Sequence, residues 1–92
     1  MTTIVDETNR LCGVITDGDL RRLLEKSGDD LLSRPAEAVM SKHPKTIHRT
    51  ALAAEAVELM ERHAITVLIV IDAEQRVEGV VHLHDLLKAG VV

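Results

Sequence analysis

The sequence predicts a small α/β (α+β) protein in which small sheets are flanked by helices, built from two copies of one unit. Three observations point there. Two segments, "IVDETNRLCGVITDGDLRR" (4–22) and "VIDAEQRVEGVVHLHDLLK" (70–88), match at a constant offset of 66 residues. Each opens with short β-branched runs separated by polar turn residues. Each closes with leucines at helical spacing. Asp6/Asp72, Arg10/Arg76, Gly13/Gly79, Val14/Val80, Asp19/Asp85 and Leu20/Leu86 are identical pairs, and such a repeat sets the architecture before any other signal.

Thr3 to Val5 and Val67 to Ile71 read as short buried strands. "DETN" and "DAEQ" supply the turns that follow. "LCGVI" and "VEGVV" are the second strands, each with a glycine that omits a side chain. Leu20, Leu23 and Leu24 then mark one face of a helix closed by Ser27-Gly28, and Leu83, Leu86 and Leu87 mark its counterpart closed by Gly90. Between the copies, "RPAEAVMSKHPKTIHRT" (34–50) is interrupted by two prolines. Thr50 is expected to cap a helix near Ala51 to His63, with Ala53, Ala56, Val57, Met60 and Ala64 on its apolar face. The organisation expected is therefore the second half of a first repeat (1–28), a connector (29–34) and a full second repeat (35–92). The first copy shows no counterpart of the second copy's opening connector, strand and helix, so the chain reads as a fragment with a truncated first repeat.

Composition bounds the function. Ninety-two residues make one small domain or two very small halves sharing a core, and 46% hydrophobic residues support a packed interior. Phe, Tyr and Trp are absent, which removes stacking platforms for single-stranded nucleic acid. A net charge of −4 argues against binding a phosphate backbone. The single Cys12 fits a reducing compartment and, in an apolar strand, a buried structural thiol. No signal peptide or membrane-spanning stretch is visible, so a soluble cytoplasmic chain with no nucleic-acid or membrane partner is expected.

The order of elements, with Gly-apolar-apolar-Thr-x-x-Asp at the strand-to-helix junction ("GVITDGD", 13–19), resembles a CBS domain (named after cystathionine beta-synthase). "AVM…P…TI" (38–47) followed by a helix is similar to the opening of such a repeat, so the likeness covers nearly the whole chain. It implies a CBS-domain pair, or Bateman module, that binds adenosyl or other nucleotide ligands in clefts. More narrowly, "GVITDGDLRRLLEKSGD" and "HLHDLLKAGVV" resemble the C-terminal CBS pair of the arabinose-5-phosphate isomerase family. Those enzymes interconvert ribulose 5-phosphate and arabinose 5-phosphate for the Kdo sugar of lipopolysaccharide, through an N-terminal SIS (sugar isomerase) domain. Nothing in 92 residues corresponds to that domain.

Read alone, Thr16-x-x-Asp19 is a capping box variant. The same geometry suits a ligand, because a helix N-terminus presents free N–H groups and a positive dipole end to phosphate. Thr16 can donate its hydroxyl to a phosphate oxygen, and Asp19 can accept both hydroxyls of a ribose. Gly13 is expected to let a ligand approach the strand closely. The resemblance assigns Thr16 and Asp19 these roles and favours binding over a cap alone. In the second copy Gly79 and Asp85 persist while His82 replaces the threonine, so that site is either degenerate or prefers another anionic group. The resemblance also implies pocket walls at Thr46, Ile47, Val67 and Leu68. His82, His84 and Asp85 superficially suggest a metal site, but surface histidines account for them and no metal is expected. Arg21 and Arg22 are read as a solvated helix face, as are Glu55, Glu58 and Glu61.

Two functions compete. One is a regulatory module that senses a nucleotide or nucleotide sugar for the SIS domain of the parent chain, with AMP or ATP from the broader family and CMP or CMP-Kdo from the isomerase pathway as ligands. The other is a ligand-free module that associates through its apolar faces as a homodimer of CBS pairs. Independent catalysis is disfavoured, since no nucleophile elbow, P-loop or dinucleotide fingerprint is present, and no cofactor is required.

Overall fold

The computed structural model describes residues 1–90, so Val91 and Val92 of the second repeat (35–92) lie outside the described residues. The chain groups into two compact units, Met1–Pro44 and the remainder from Lys45. The first holds β1 (Thr2–Val5), β2 (Leu11–Ile15), α1 (Asp17–Ser27), a 3-10 turn (Gly28–Ser33) and the short α2 (Ala36–Val39). The second holds β3 (Thr46–His48), α3 (Ala53–His63), β4 (Val67–Ile71), β5 (Val77–His82) and α4 (Leu83–Lys88). The division falls at residue 44 rather than at the sequence repeat, because the segment after α2 pairs with the first sheet. There Val14 and Ser41 exchange two backbone hydrogen bonds, at 3.0 and 2.8 Å.

The repeat is structural down to its irregularities. β1 and β2 are antiparallel with Thr3 opposite Val14, and β4 and β5 are antiparallel with Ile69 opposite Val80, the same register shifted by 66. Both hairpins carry a β-bulge at the same place, between Ile4 and Val5 and between Val70 and Ile71. Both turns place one residue in the left-handed region, Asn9 (φ 67°) and Gln75 (φ 68°). The identical aspartates explain why. Asp6 Oδ1 accepts the N–H groups of Thr8 and Arg10, and Asp72 Oδ1 those of Glu74 and Arg76, at 2.8–3.0 Å. Each carboxylate thereby closes its own turn. Both carboxyls are held below the usual range, chiefly by the backbone N–H of Arg10 and of Arg76 respectively.

The sheets differ in one respect. Among the described residues β1 pairs only with β2, whereas β4 also pairs in parallel with β3. The second unit has the larger core: Ala56 and Met60 of α3 lie on Leu68 of β4, with Ile47, Leu59, Ile65, Val81, Leu83 and Leu86 packed around them. Met60 and Leu68 are 1% and 0% exposed, and burying such a side chain stabilises by roughly 1.5–3 kcal/mol. The apolar face predicted for α3 holds at Ala56, Val57 and Met60 but not at Ala53 or Ala64, which are exposed. Ala64 instead ends the helix in the left-handed conformation (φ 53°).

Thr50 does not cap α3. Ala51 donates its N–H to His48 O at 3.0 Å, which puts Thr50 in a turn, and Leu52 occupies the cap position without a side-chain bond. Pro35 fills the corresponding place before α2. Gly90 closes α4 as expected, at φ 80° with its N–H on Leu87 O. Among the described residues no helix is long and apolar enough to cross a membrane.

Candidate functional site

The junction of β2 and α1 carries the motif singled out in sequence. Thr16 precedes α1 and Asp19 sits in its first turn. Asp19 N–H donates to Thr16 Oγ1 at 3.1 Å, and Thr16 N–H donates to Asp19 Oδ2 at 3.3 Å, which is the reciprocal capping box. The other carboxylate oxygen, Oδ1, accepts from Arg22 Nη2 at 2.6 Å. The Asp19 carboxyl is held below the ordinary value, chiefly by side-chain hydrogen bonding with Thr16. Partial burial opposes this, and Arg22 adds to it.

Beside the cap lies an open cleft of about 230 Å³, lined by Asp19, Arg22, Leu23 and Lys26 of α1 and by Val39, Met40 and Ser41 of the facing segment. Asp19, Arg22 and Lys26 recur at helical spacing, so one carboxylate and two cations share a face. Sequence reading assigned Arg22 to a solvated face and passed over Lys26. The spacing from Asp19 was the available signal. The facing segment could not be foreseen, since it lies beyond the end of α1 in sequence and meets it only in space.

Gly13 does not open space for a ligand. A Cβ there would lie 2.6 Å from Ser41 O and 2.7 and 2.8 Å from Met40 Sδ and Cγ, so the protein's own chain fills that gap. At Gly79 nothing lies within 4 Å of the same point.

In the second unit the β5–α4 junction keeps the backbone course but loses the box. His82 stands at the cap position with no side-chain cap bond, and Leu83 N–H donates to Thr66 O at 2.8 Å. His82 and Asp85 are both exposed. A separate hollow of about 170 Å³ is mostly apolar, floored by Ile47, Val70, Val81 and Leu86, with His48 and Arg49 at its lining. Of the expected walls only Ile47 takes part. Thr46 pairs with Ile69, and Val67 pairs with His82 along the sheet. Leu68 is corrected outright: its fully buried side chain belongs to the core and has no surface to offer a ligand.

Cys12 is half-buried, its Sγ 3.7 Å from Arg10 O, rather than a fully buried thiol. Among the described residues no group of three or more His, Cys, Asp or Glu is placed to hold a metal ion.

A family model described as the CBS domain matches residues 3–26 and 36–92. The arabinose 5-phosphate isomerase KdsD of Pseudomonas aeruginosa is 46% identical over 92 residues, all of this chain and 28% of that protein. This chain thus spans less than a third of the length of the isomerase it matches. The CBS domain pair of protein MJ0100, solved with 5′-methylthioadenosine and S-adenosyl-L-methionine, is 26% identical with a TM-score of 0.80. That likeness covers 97% of this chain and 68% of that one. The cytosolic domain of the Mg2+ channel MgtE, solved with ATP, is 28% identical with a TM-score of 0.74, covering 95% and 32%.

Proposed function

The chain belongs to the CBS domain family, and we propose from this that it is a regulatory module that binds a nucleotide or nucleotide sugar. The observation that carries the reading is the capping box at the head of α1, beside a cleft that also holds Arg22 and Lys26. Asp19 meets the hydroxyls of a ribose, Thr16 and the free N–H groups of α1 meet a phosphate, and the two cations balance its charge. In the second unit His82 and Asp85 form the weaker counterpart. The repeat boundaries proposed are 1–28, 29–34 and 35–92.

The likeness to KdsD extends the proposal to the parent protein. There the module serves a cytoplasmic arabinose 5-phosphate isomerase, passing ligand occupancy to an SIS catalytic domain, and CMP, CTP or CMP-Kdo are the feedback ligands beside AMP and ATP. Such control requires the ligand to bind one state of the enzyme better than another. The module itself carries out no catalysis in this reading.

Calorimetric titration of the chain with AMP, ATP, CMP, CTP and CMP-Kdo tests the site, alongside Asp19→Ala and Asp85→Ala. Saturable binding by one of them, weakened roughly 10- to 150-fold in Asp19→Ala, is expected, since hydrogen bonds to a charged group contribute about 1.5–3 kcal/mol. Uniform absence of binding transfers support to a second reading, ligand-free assembly as a homodimer. Its own observation is the exposure of Leu20 and Leu24, one turn apart on α1. Sedimentation of wild type against Leu24→Glu separates the two.

A further inference from the structure

Both carboxylate oxygens of Asp19 are engaged within the chain. Oδ2 accepts the N–H of Thr16 at 3.3 Å, and Oδ1 accepts Nη2 of Arg22 at 2.6 Å. The second bond is short and joins two opposite charges, so it is the stronger of the two. An independent measure also puts the guanidinium at the head of α1. A Cβ on Gly18 would lie 3.4 Å from Nη1 of Arg22 and 3.8 Å from Nη2. The arm therefore folds back over the first turn of its own helix. Lys26, one turn further along the same cleft, repels it in that direction. The Arg22 side chain is nonetheless 67% exposed, against 27% for Asp19, so it can swing away without unpacking any core group.

We propose that Arg22 makes this site select phosphorylated ligands over their unphosphorylated counterparts, an inference that rests on the nucleotide reading above. A ribose diol that engages Asp19 through both oxygens needs Oδ1, and the guanidinium holds that atom and the space over Gly18. Entry of the sugar therefore costs an ion pair. A nucleoside brings nothing to offset that loss. A nucleotide brings a phosphate to the head of α1, within reach of the same guanidinium, whose planar fork donates to phosphate oxygens in pairs. Arg22 exchanges a carboxylate for a phosphate, while Asp19 exchanges an internal cation for a sugar. One side chain thus weakens the wrong ligand and strengthens the right one. In the second unit His84 replaces Gly18 and Lys88 replaces Arg22, so neither the space nor the fork is present there.

The test titrates the 15N-labelled chain with AMP and CMP and with adenosine and cytidine, following the amides of Thr16 to Asp19, for wild type, Arg22→Gln and Lys26→Gln. Arg22→Gln should weaken the nucleotide roughly tenfold or more, as expected for a lost charge-assisted hydrogen bond. The same variant should tighten the matching nucleoside by roughly two- to fivefold, the worth of an exposed ion pair no longer to be broken. Lys26→Gln, which leaves the Asp19–Arg22 pair intact, should weaken the nucleotide and leave the nucleoside unmoved. Opposite shifts for the two ligands mark selection, because a merely structural effect of Arg22→Gln would lower both. Wild type that binds a nucleotide while Arg22→Gln lowers or leaves unchanged the nucleoside affinity would overturn the selection and spare the nucleotide reading. Wild type that binds no nucleotide would overturn that reading and the selection with it.

Discussion

Gly13 and Gly79 occupy the same place in the repeat but differ in what a methyl group would meet. Gly13→Ala drives a Cβ into a backbone carbonyl at 2.6 Å, which a flexible side chain could not relieve. A loss of about 1–3 kcal/mol in the stability of the first unit is expected by thermal or urea denaturation, against about zero for Gly79→Ala. Asp19 carries a pH signature. Its folded pKa lies below the unfolded value of 3.8, so its contribution is present above about pH 4 and is lost as pH falls through the folded pKa. Asp19→Asn keeps an acceptor for Thr16 N–H but loses the charge, so it should destabilise by about 0.3–1 kcal/mol near neutrality, and the gap from wild type should narrow in urea melts as pH falls below the unfolded value. The capping box was readable in the sequence because both partners lie within one turn. The crowding at Gly13 was not, since its cause sits at Met40 and Ser41.

At the scale of elements, the hairpins follow from local chemistry: an aspartate that closes the turn, a residue that accepts positive φ, and β-branched runs on either side. That is why strand and turn positions were legible to within a residue or two. Helix starts were less so. A threonine three residues upstream of α3 suggested a cap, but the turn closed by His48 and Ala51 claims Thr50 first. The difference between the sheets makes a further prediction. Ile69 N–H is bonded to Lys45 O, whereas its equivalent, Thr3, lies on the outer edge of a two-stranded sheet. Amide hydrogen exchange should be slower at Ile69 than at Thr3, by one or more orders of magnitude. Equal rates would show that β1 has a strand partner in solution.

At the scale of the molecule, the two units are unequal in core. Among the described residues, Val14 and Ile15 are the buried hydrophobics of the first unit, against Ala56, Val57, Met60, Leu68, Ile69 and Ile71 in the second. The first unit should lose amide protection at lower denaturant than the second. Met60→Ala should cost about 2–5 kcal/mol, read from the denaturation of the second unit, because it empties the centre of an aliphatic core that has no aromatic ring to refill it.

Local order was written in the sequence alone: the repeat, its strands and turns, the capping box and the identity of its carboxylate. Each depends on residues a few positions apart, and periodicity or spacing reports such relations directly. Tertiary structure decided which glycine gap the chain itself fills, which apolar residues are core rather than wall, and which cations join Asp19 in a cleft. Those outcomes depend on segments distant in sequence meeting in space. A one-dimensional pattern cannot encode that meeting until the backbone hydrogen bonds of Val14 and Ser41, or the packing of Met60 on Leu68, bring them together.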